Sequence, residues 1–192
     1  MITKKQLKNI KKFAIEIDWN LSFKGKSKGN RHLFRIVKIA KELAKDIKVD
    51  NSIVETGSWL HDTNLEKTIN GNTSANKTKI VKFLRKIRVS EIDQKKTLHC
   101  IEAHDGRINA RTLEAKIVHD ADTLEKMGPL GIIRETWKKS QAGWTTEKIC
   151  KHLKKHLKKR QNKIHLKKAK EIARKRNKDL KSFFNQLEIQ IK

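Results

Sequence analysis

An all-α fold is what this sequence predicts, on three observations. One Pro and 8 Gly in 192 residues leave few places for a helix to break. An apolar fraction of only 36% beside 35% charged residues suits helices whose outer faces are covered by long basic side chains. Apolar residues also recur at helical spacing through most of the chain. The length fits one domain with an adequate core. Residues 1–192 therefore read as a single unit, with a basic helical segment from about 145 to 192 packed on it.

Taken in order, residues 3–18 form an amphipathic helix with Leu7, Ile10, Phe13, Ala14 and Ile17 on one stripe. Residues 20–30 are a basic, mobile connector. Its Lys24-Gly25-Lys26-Ser27-Lys28-Gly29 run lacks the preceding strand and the Gly spacing of a phosphate-binding loop. His32, Ile36, Ile39, Ala40 and Leu43 share the inward face of the next helix. Asp50 caps the third helix, whose Ile53, Val54, Trp59 and Leu60 lead into His61-Asp62. A polar stretch around Gly71 follows, then a helix started by Thr73 or Ser74 that carries Ile80, Val81, Leu84 and Ile87. Ser90 and Asp93 open the helix holding Leu98, Ile101 and His104, which Gly106 ends. Residues 111–126 are helical, with Leu113, Ile117 and Leu124 inside and Asp120 and Asp122 among them; the plainer alternative has Asp122 and Glu125 simply facing water. After Gly128-Pro129 comes a short helix. From Thr145 onward runs one long basic helix, or two in line, striped by Ile149, Leu153, Leu157, Ile164, Ile172, Phe183, Leu187 and Ile191.

A net charge of +26 attracts polyanions, whether nucleic acid, acidic membrane or nucleotide. Lys outnumbers Arg and is spread along the whole chain, which the coding bias of an AT-rich genome also produces, so both readings stand. No nucleic-acid module is recognisable, and 5% aromatics with no Tyr offer few stacking platforms. Cys100 and Cys150 lack zinc-ribbon spacing and read as buried, reduced thiols. No apolar run approaches the roughly 18 residues of a membrane span, and Met1-Ile2-Thr3-Lys4-Lys5 has no apolar signal core. The expectation is a soluble, cytoplasmic protein without a membrane span.

Chemistry concentrates at His61-Asp62, where a neutral nitrogen donor and an anionic oxygen donor meet at a helix end. Three His-Asp dipeptides occur, the others being His104-Asp105 and His119-Asp120. The first is set apart by its company, because His32 and Asp120 each lie within a strongly helical pattern. A carboxylate buried unpaired costs several kcal/mol. Asp120, with Ile117 and Leu124 at one turn's spacing, therefore needs a cation if it faces inward. Two imidazoles and two carboxylates on separate helices can close around one divalent ion. His104 stands near another helix C-terminus, where ligands converge from several helices, while His152, His156 and His165 read as surface residues.

These residues resemble the HD-domain superfamily of metal-dependent phosphohydrolases, whose pattern is His, then His-Asp, then a distant Asp on an all-helical bundle. Small stand-alone members carry a His-x-x-Arg-Val segment, similar to His32 to Arg35 followed by Ile36. They also have an Asp-Ala-Asp-Arg-Leu-Asp segment running into a Gly-Ala-x-Gly-Ile-x-Arg turn. Asp120-Ala121-Asp122-Thr123-Leu124-Glu125 and Gly128-Pro129-Leu130-Gly131-Ile132-Ile133-Arg134 look like both. The tail, with Ala173, Arg176, Phe183 and Leu187, is similar to that branch's last helix. Two departures stand out: Ser27 is followed by Lys28 and Gly29 instead of His-Asp, and Thr123 replaces an Arg.

The resemblance implies an HD-domain helical bundle with His32, His61, Asp62 and Asp120 as metal ligands and His104 contacting substrate or supporting the ligands. Mixed N and O donors suit Mn, Fe, Co or Ni better than Mg. Such an ion acidifies water and neutralises phosphoryl charge. Asp62 would orient the attacking water, and His104, Lys67 or Arg35 would hold the phosphate. The expected activity is hydrolysis of a small phosphorylated substrate, a nucleotide or another phosphate ester or anhydride. The alternative is a basic nucleic-acid-binding protein that uses the fold as a scaffold, its binding weak and non-specific.

Overall fold

The computed structural model describes residues 1–63, 74–178 and 180–191. Among these residues are ten α-helices and no strand, as the scarcity of breakers predicts. The chain divides into two compact units, Met1–Ala121 and Asp122–Lys192.

The first unit holds α1 (Lys4–Leu21), α2 (His32–Ala44), α3 (Asn51–Leu60), α4 (Ser74–Lys86), α5 (Glu91–Ala103) and the larger part of α6 (Leu113–Glu125). Its hub is α3, which packs against α1, α2 and α5. Ile53, Val54, Thr56, Gly57, Ser58, Trp59 and Leu60 are all buried, so this helix has almost no solvent face. The core around it includes Ile10, Leu33, Leu84, Cys100, Ile101 and Val118. The rings of Phe13 and Phe83 stack 3.8 Å apart beside it.

Local chemistry sets the helix starts. Thr3 and Gln6 form a reciprocal capping box at α1. The Gln6 side chain also donates to the carbonyls of Ile87 and Arg88 at 3.0 and 2.9 Å, beyond the end of α4. Arg88 there takes a left-handed φ of 58°. Asp50 caps α3, its carboxylate accepting from the Ser52 and Ile53 amides at 3.0 and 3.4 Å and from the Ser52 hydroxyl at 2.6 Å. Burial pushes the Asp50 pKa up, but these hydrogen bonds outweigh it and hold the carboxyl below the usual carboxylate range. Ser90 caps α5 as predicted. Helix α1 runs three residues past the expected end, and the connector after it is built of turns. Phe23 and Lys24 take left-handed φ values of 52° and 57°, the Trp19 indole donates to Asn30 O at 3.1 Å, and Ser22 and Ser27 are buried. Leu113, expected inside, is 43% exposed at the start of α6.

The second unit contains α7 (Gly128–Gln141), α8 (Thr146–Gln161), α9 (Lys167–Asn177) and α10 (Leu180–Ile191). Helix α7 packs on α8 and α9, and α10 packs on α8. Among the described residues the basic tail is therefore three helices, not one or two in line. The break after Gln161 follows from Ile164, which is buried in the linker, and from Leu166, whose extended backbone (φ −81°, ψ 141°) starts α9. Phe183 and Ile191 of the expected stripe stay exposed, while Leu180 carries the burial of α10.

Asp122 and Glu125, which the plainer alternative had facing water, are buried at 2% and 1% exposure. Each carboxylate has a basic partner, Lys126 for Asp122 and Arg134 for Glu125. Both glycines of Gly128-Pro129-Leu130-Gly131 have steric reasons. Gly128 has φ +71°, and a Cβ there would lie 3.1 Å from Arg176 O; at Gly131 it would lie 2.2 Å from Lys126 O. Among the described residues no helix is long and apolar enough to cross a membrane.

Candidate metal centre

His61 and Asp62 stand at the C-terminal end of α3, directly after its most enclosed turn. His61 is wholly buried, and its Nδ1 lies 2.8 Å from Ser58 O one turn back. A carbonyl oxygen only accepts, so Nδ1 carries the proton and Nε2 presents its lone pair. His104 repeats the arrangement at the end of α5, with Nδ1 2.6 Å from Ile101 O. Local helix geometry thus presets the tautomer of both rings.

His32 is the first residue of α2 and is 3% exposed. Its Nε2 lies 3.0 Å from Asp62 Oδ2 and 3.2 Å from His61 Nε2. His61 Nε2 is in turn 3.5 Å from the same Asp62 oxygen. Three donor atoms therefore face one another. Ligands about 2.1 Å from a metal lie about 3.0 Å apart at adjacent octahedral vertices and about 3.4 Å apart at tetrahedral ones. The observed spacings match that range, so the residues present fit a divalent ion. Across Asp62, the other carboxylate oxygen is 3.8 Å from His104 Nε2, and the rings of His61 and His104 meet edge to face at 5.2 Å.

The remaining predicted residues distribute unevenly. Asp120 is wholly buried on α6 in the same unit, as its helical spacing required, with a carboxylate oxygen within 4.8 Å of a ring nitrogen of its neighbour His119. His119 is itself buried. Arg35 stands one turn after His32 on α2, its guanidinium 3.5 Å from Asn30 Oδ1, and burial draws its pKa below the ordinary value. Lys67 lies outside the described residues. Cys100 is buried on α5, where desolvation and the Glu114 carboxylate push its thiol up to about 12, while Cys150 is only partly buried.

Gly57 also shapes the site, at a position that the His and His-Asp motif does not mark. A Cβ at this position would lie 2.7 Å from Cys100 Cβ and 3.2 Å from Val118 Cγ2, so its absence lets α3 approach α5 and α6 just below the cluster. The available signal was a lone Gly inside an otherwise helical pattern, which points to close packing.

The HD domain family model matches residues 30–127, from just before α2 to just after α6, and the chain belongs to that family. Over 107 residues it is 32% identical to Ribonuclease Y of Syntrophomonas wolfei, an alignment covering 55% of this chain and 19% of that one. The chain thus spans about a fifth of that relative's length. Solved structures share its fold, among them the following two. An HD-superfamily hydrolase from Bacillus thuringiensis has a TM-score of 0.76 at 23% identity, with 97% of each chain covered. Bacillus subtilis YpgQ in complex with ADP has a TM-score of 0.76 at 21% identity, covering 97% of this chain and 98% of that one.

Proposed function

We propose that this protein is a metal-dependent phosphohydrolase acting on a nucleotide or another small phosphate ester or anhydride. The observation that carries the reading is the meeting of His32 Nε2, His61 Nε2 and Asp62 Oδ2 within 3.0 to 3.5 Å of one another. In this reading His32, His61 and Asp62 hold the ion together with Asp120, which the motif assigns. The N and O donors favour Mn, Fe, Co or Ni over Mg. A divalent ion bound there supplies acidified water and offsets charge on the phosphoryl group.

The chain's own groups then do the positioning. Asp62 uses one oxygen toward the two imidazoles and turns the other toward His104, which makes it the group to orient the attacking water. His104, with Nδ1 tied to the Ile101 carbonyl, keeps Nε2 as the atom that takes up or gives a proton at the phosphoryl group. Arg35 offers a fixed positive charge one turn from His32, and Lys67 is assigned to phosphate by its place after the His-Asp pair. The ADP complex of YpgQ, which this chain matches over 97% of its length, supports a nucleotide as the substrate class.

The test is elemental analysis of purified protein beside a metal-replete screen of nucleoside mono-, di- and triphosphates. About one ion per chain is expected by the donor logic, lost in His61→Ala and Asp62→Asn, together with turnover of at least one nucleotide. Full metal occupancy in both variants would sink the site. Metal kept at full occupancy in Asp120→Asn would remove Asp120 from the set.

A further inference from the structure

We propose that the turn between α7 and α8 docks single-stranded nucleic acid, with Trp144 as a base-stacking platform and the lysines of α8 as its phosphate contacts. Trp144 follows Gly143 in that turn and is neither buried nor fully exposed. Lys139 Nζ lies 4.3 Å and Lys148 Nζ 4.4 Å from the indole centroid, and His152 meets the ring edge to face at 5.3 Å. A tryptophan recruited only for packing would bury its ring among apolar side chains. This one is ringed by polar-tipped neighbours and keeps part of its surface open.

The charge around it continues along the helix. Lys148, Lys151 and Lys155 are exposed at positions three and four residues apart, so they share one face of α8. Between residues 122 and 192 there are 21 Lys and Arg against 7 Asp and Glu. Of the acidic groups nearby, Glu135 is taken up by His152 and Arg160, and Glu147 is exposed in the first turn of α8. Ammonium groups held over a partly exposed indole are held weakly. An incoming base can take the place of Lys148 on the ring while that ammonium swings to a phosphate. An aromatic platform beside a row of lysines is the chemistry single strands select, whereas a duplex keeps its bases stacked inside. A membrane surface would call for exposed apolar residues on this face, and its exposed positions are lysines. The proposal stands on the second unit alone and does not depend on the hydrolase reading.

The experiment is equilibrium binding of labelled strands of about 12 nucleotides, as RNA and as DNA, beside an abasic strand, a duplex of equal length and anionic-lipid vesicles. The full chain is expected to prefer the single strands over all three controls, with affinity falling steeply as salt rises. Trp144→Ala should weaken single-strand binding by about tenfold and leave abasic binding unchanged, while Trp144→Phe keeps most of the affinity. Replacing Lys148, Lys151 and Lys155 by Gln should weaken the single strand and the abasic strand alike. Equal affinity in Trp144→Ala and the parent would overturn the stacking platform, as would equal losses for the abasic strand. Tighter binding to duplex or vesicles than to single strands would overturn the choice of partner.

Discussion

Gly57→Ala is the sharpest test of how the fold holds the proposed metal centre. The added methyl would sit 2.7 Å from Cys100 Cβ, where ordinary carbon contacts are about 3.5 to 4.0 Å. Both atoms are fixed to helical backbone, so no side-chain rotation relieves the overlap, and α3 must move from α5 by about 1 Å to restore a normal contact. Overpacking of this kind costs about 1 to 3 kcal/mol, and replacing Gly by Ala in a helix interior returns about 1 kcal/mol. The expected net loss is about 1 kcal/mol, or roughly 2 to 4 °C in Tm for a chain of this size. Because His61 follows Gly57 by one turn and His104 ends α5, the same shift should loosen metal retention more than it lowers stability. Urea unfolding and metal content are the assays. A double-mutant cycle locates the cause: Cys100→Gly removes the opposing Cβ and should make Gly57→Ala less costly, whereas Cys100→Ala removes only the sulfur, 3.5 Å away, and should not. A Gly57→Ala protein as stable as the parent, or equal relief by Cys100→Ala, would refute the reasoning.

Asp50→Ala should cost about 1 kcal/mol in urea unfolding through loss of the α3 cap. Because the folded Asp50 pKa is depressed, its contribution is fully present above about pH 4 and is lost as pH falls through the lowered folded value; the gap between Asp50→Ala and the parent should therefore close in acid. Cys100 works in the opposite direction. Its folded pKa is raised to about 12, so above about pH 8.5 the unfolded chain sheds the thiol proton first and stability falls with pH up to the folded value. Cys100→Ala should flatten that slope between pH 8 and 10, and an unchanged slope would count against the shift. At neutral pH a thiol reagent should modify Cys150 well before Cys100, and equal rates would contradict the packing. Arg88→Gly should stabilise the end of α4 by about 0.5 to 1 kcal/mol, since glycine accepts the φ of 58° without strain; thermal unfolding with no gain would show that Arg88 makes compensating contacts.

The local plan was written in the chain: helices at each periodic segment of the described residues, caps at Asp50 and Ser90, and a His, His-Asp pattern whose members do converge. Caps and stripes are decided within one or two helical turns, and a motif is a local string, so both can be read from neighbours in sequence. Asp120 followed the same logic as far as its burial, and its place among the ligands still rests on the motif. What the sequence could not decide came from residues far apart. Whether Glu125 faced water depended on Arg134, nine residues on and across the turn at Gly128, where burial is tolerable because the charges pair. The reason for Gly57 is a Cβ on α5, and the break in the basic tail is set by the burial of Ile164. Leu113 kept its helical spacing but reached no core. Spacing states which residues share a face; only packing determines what that face meets, because burial is a property of the whole assembly of helices and not of any one of them.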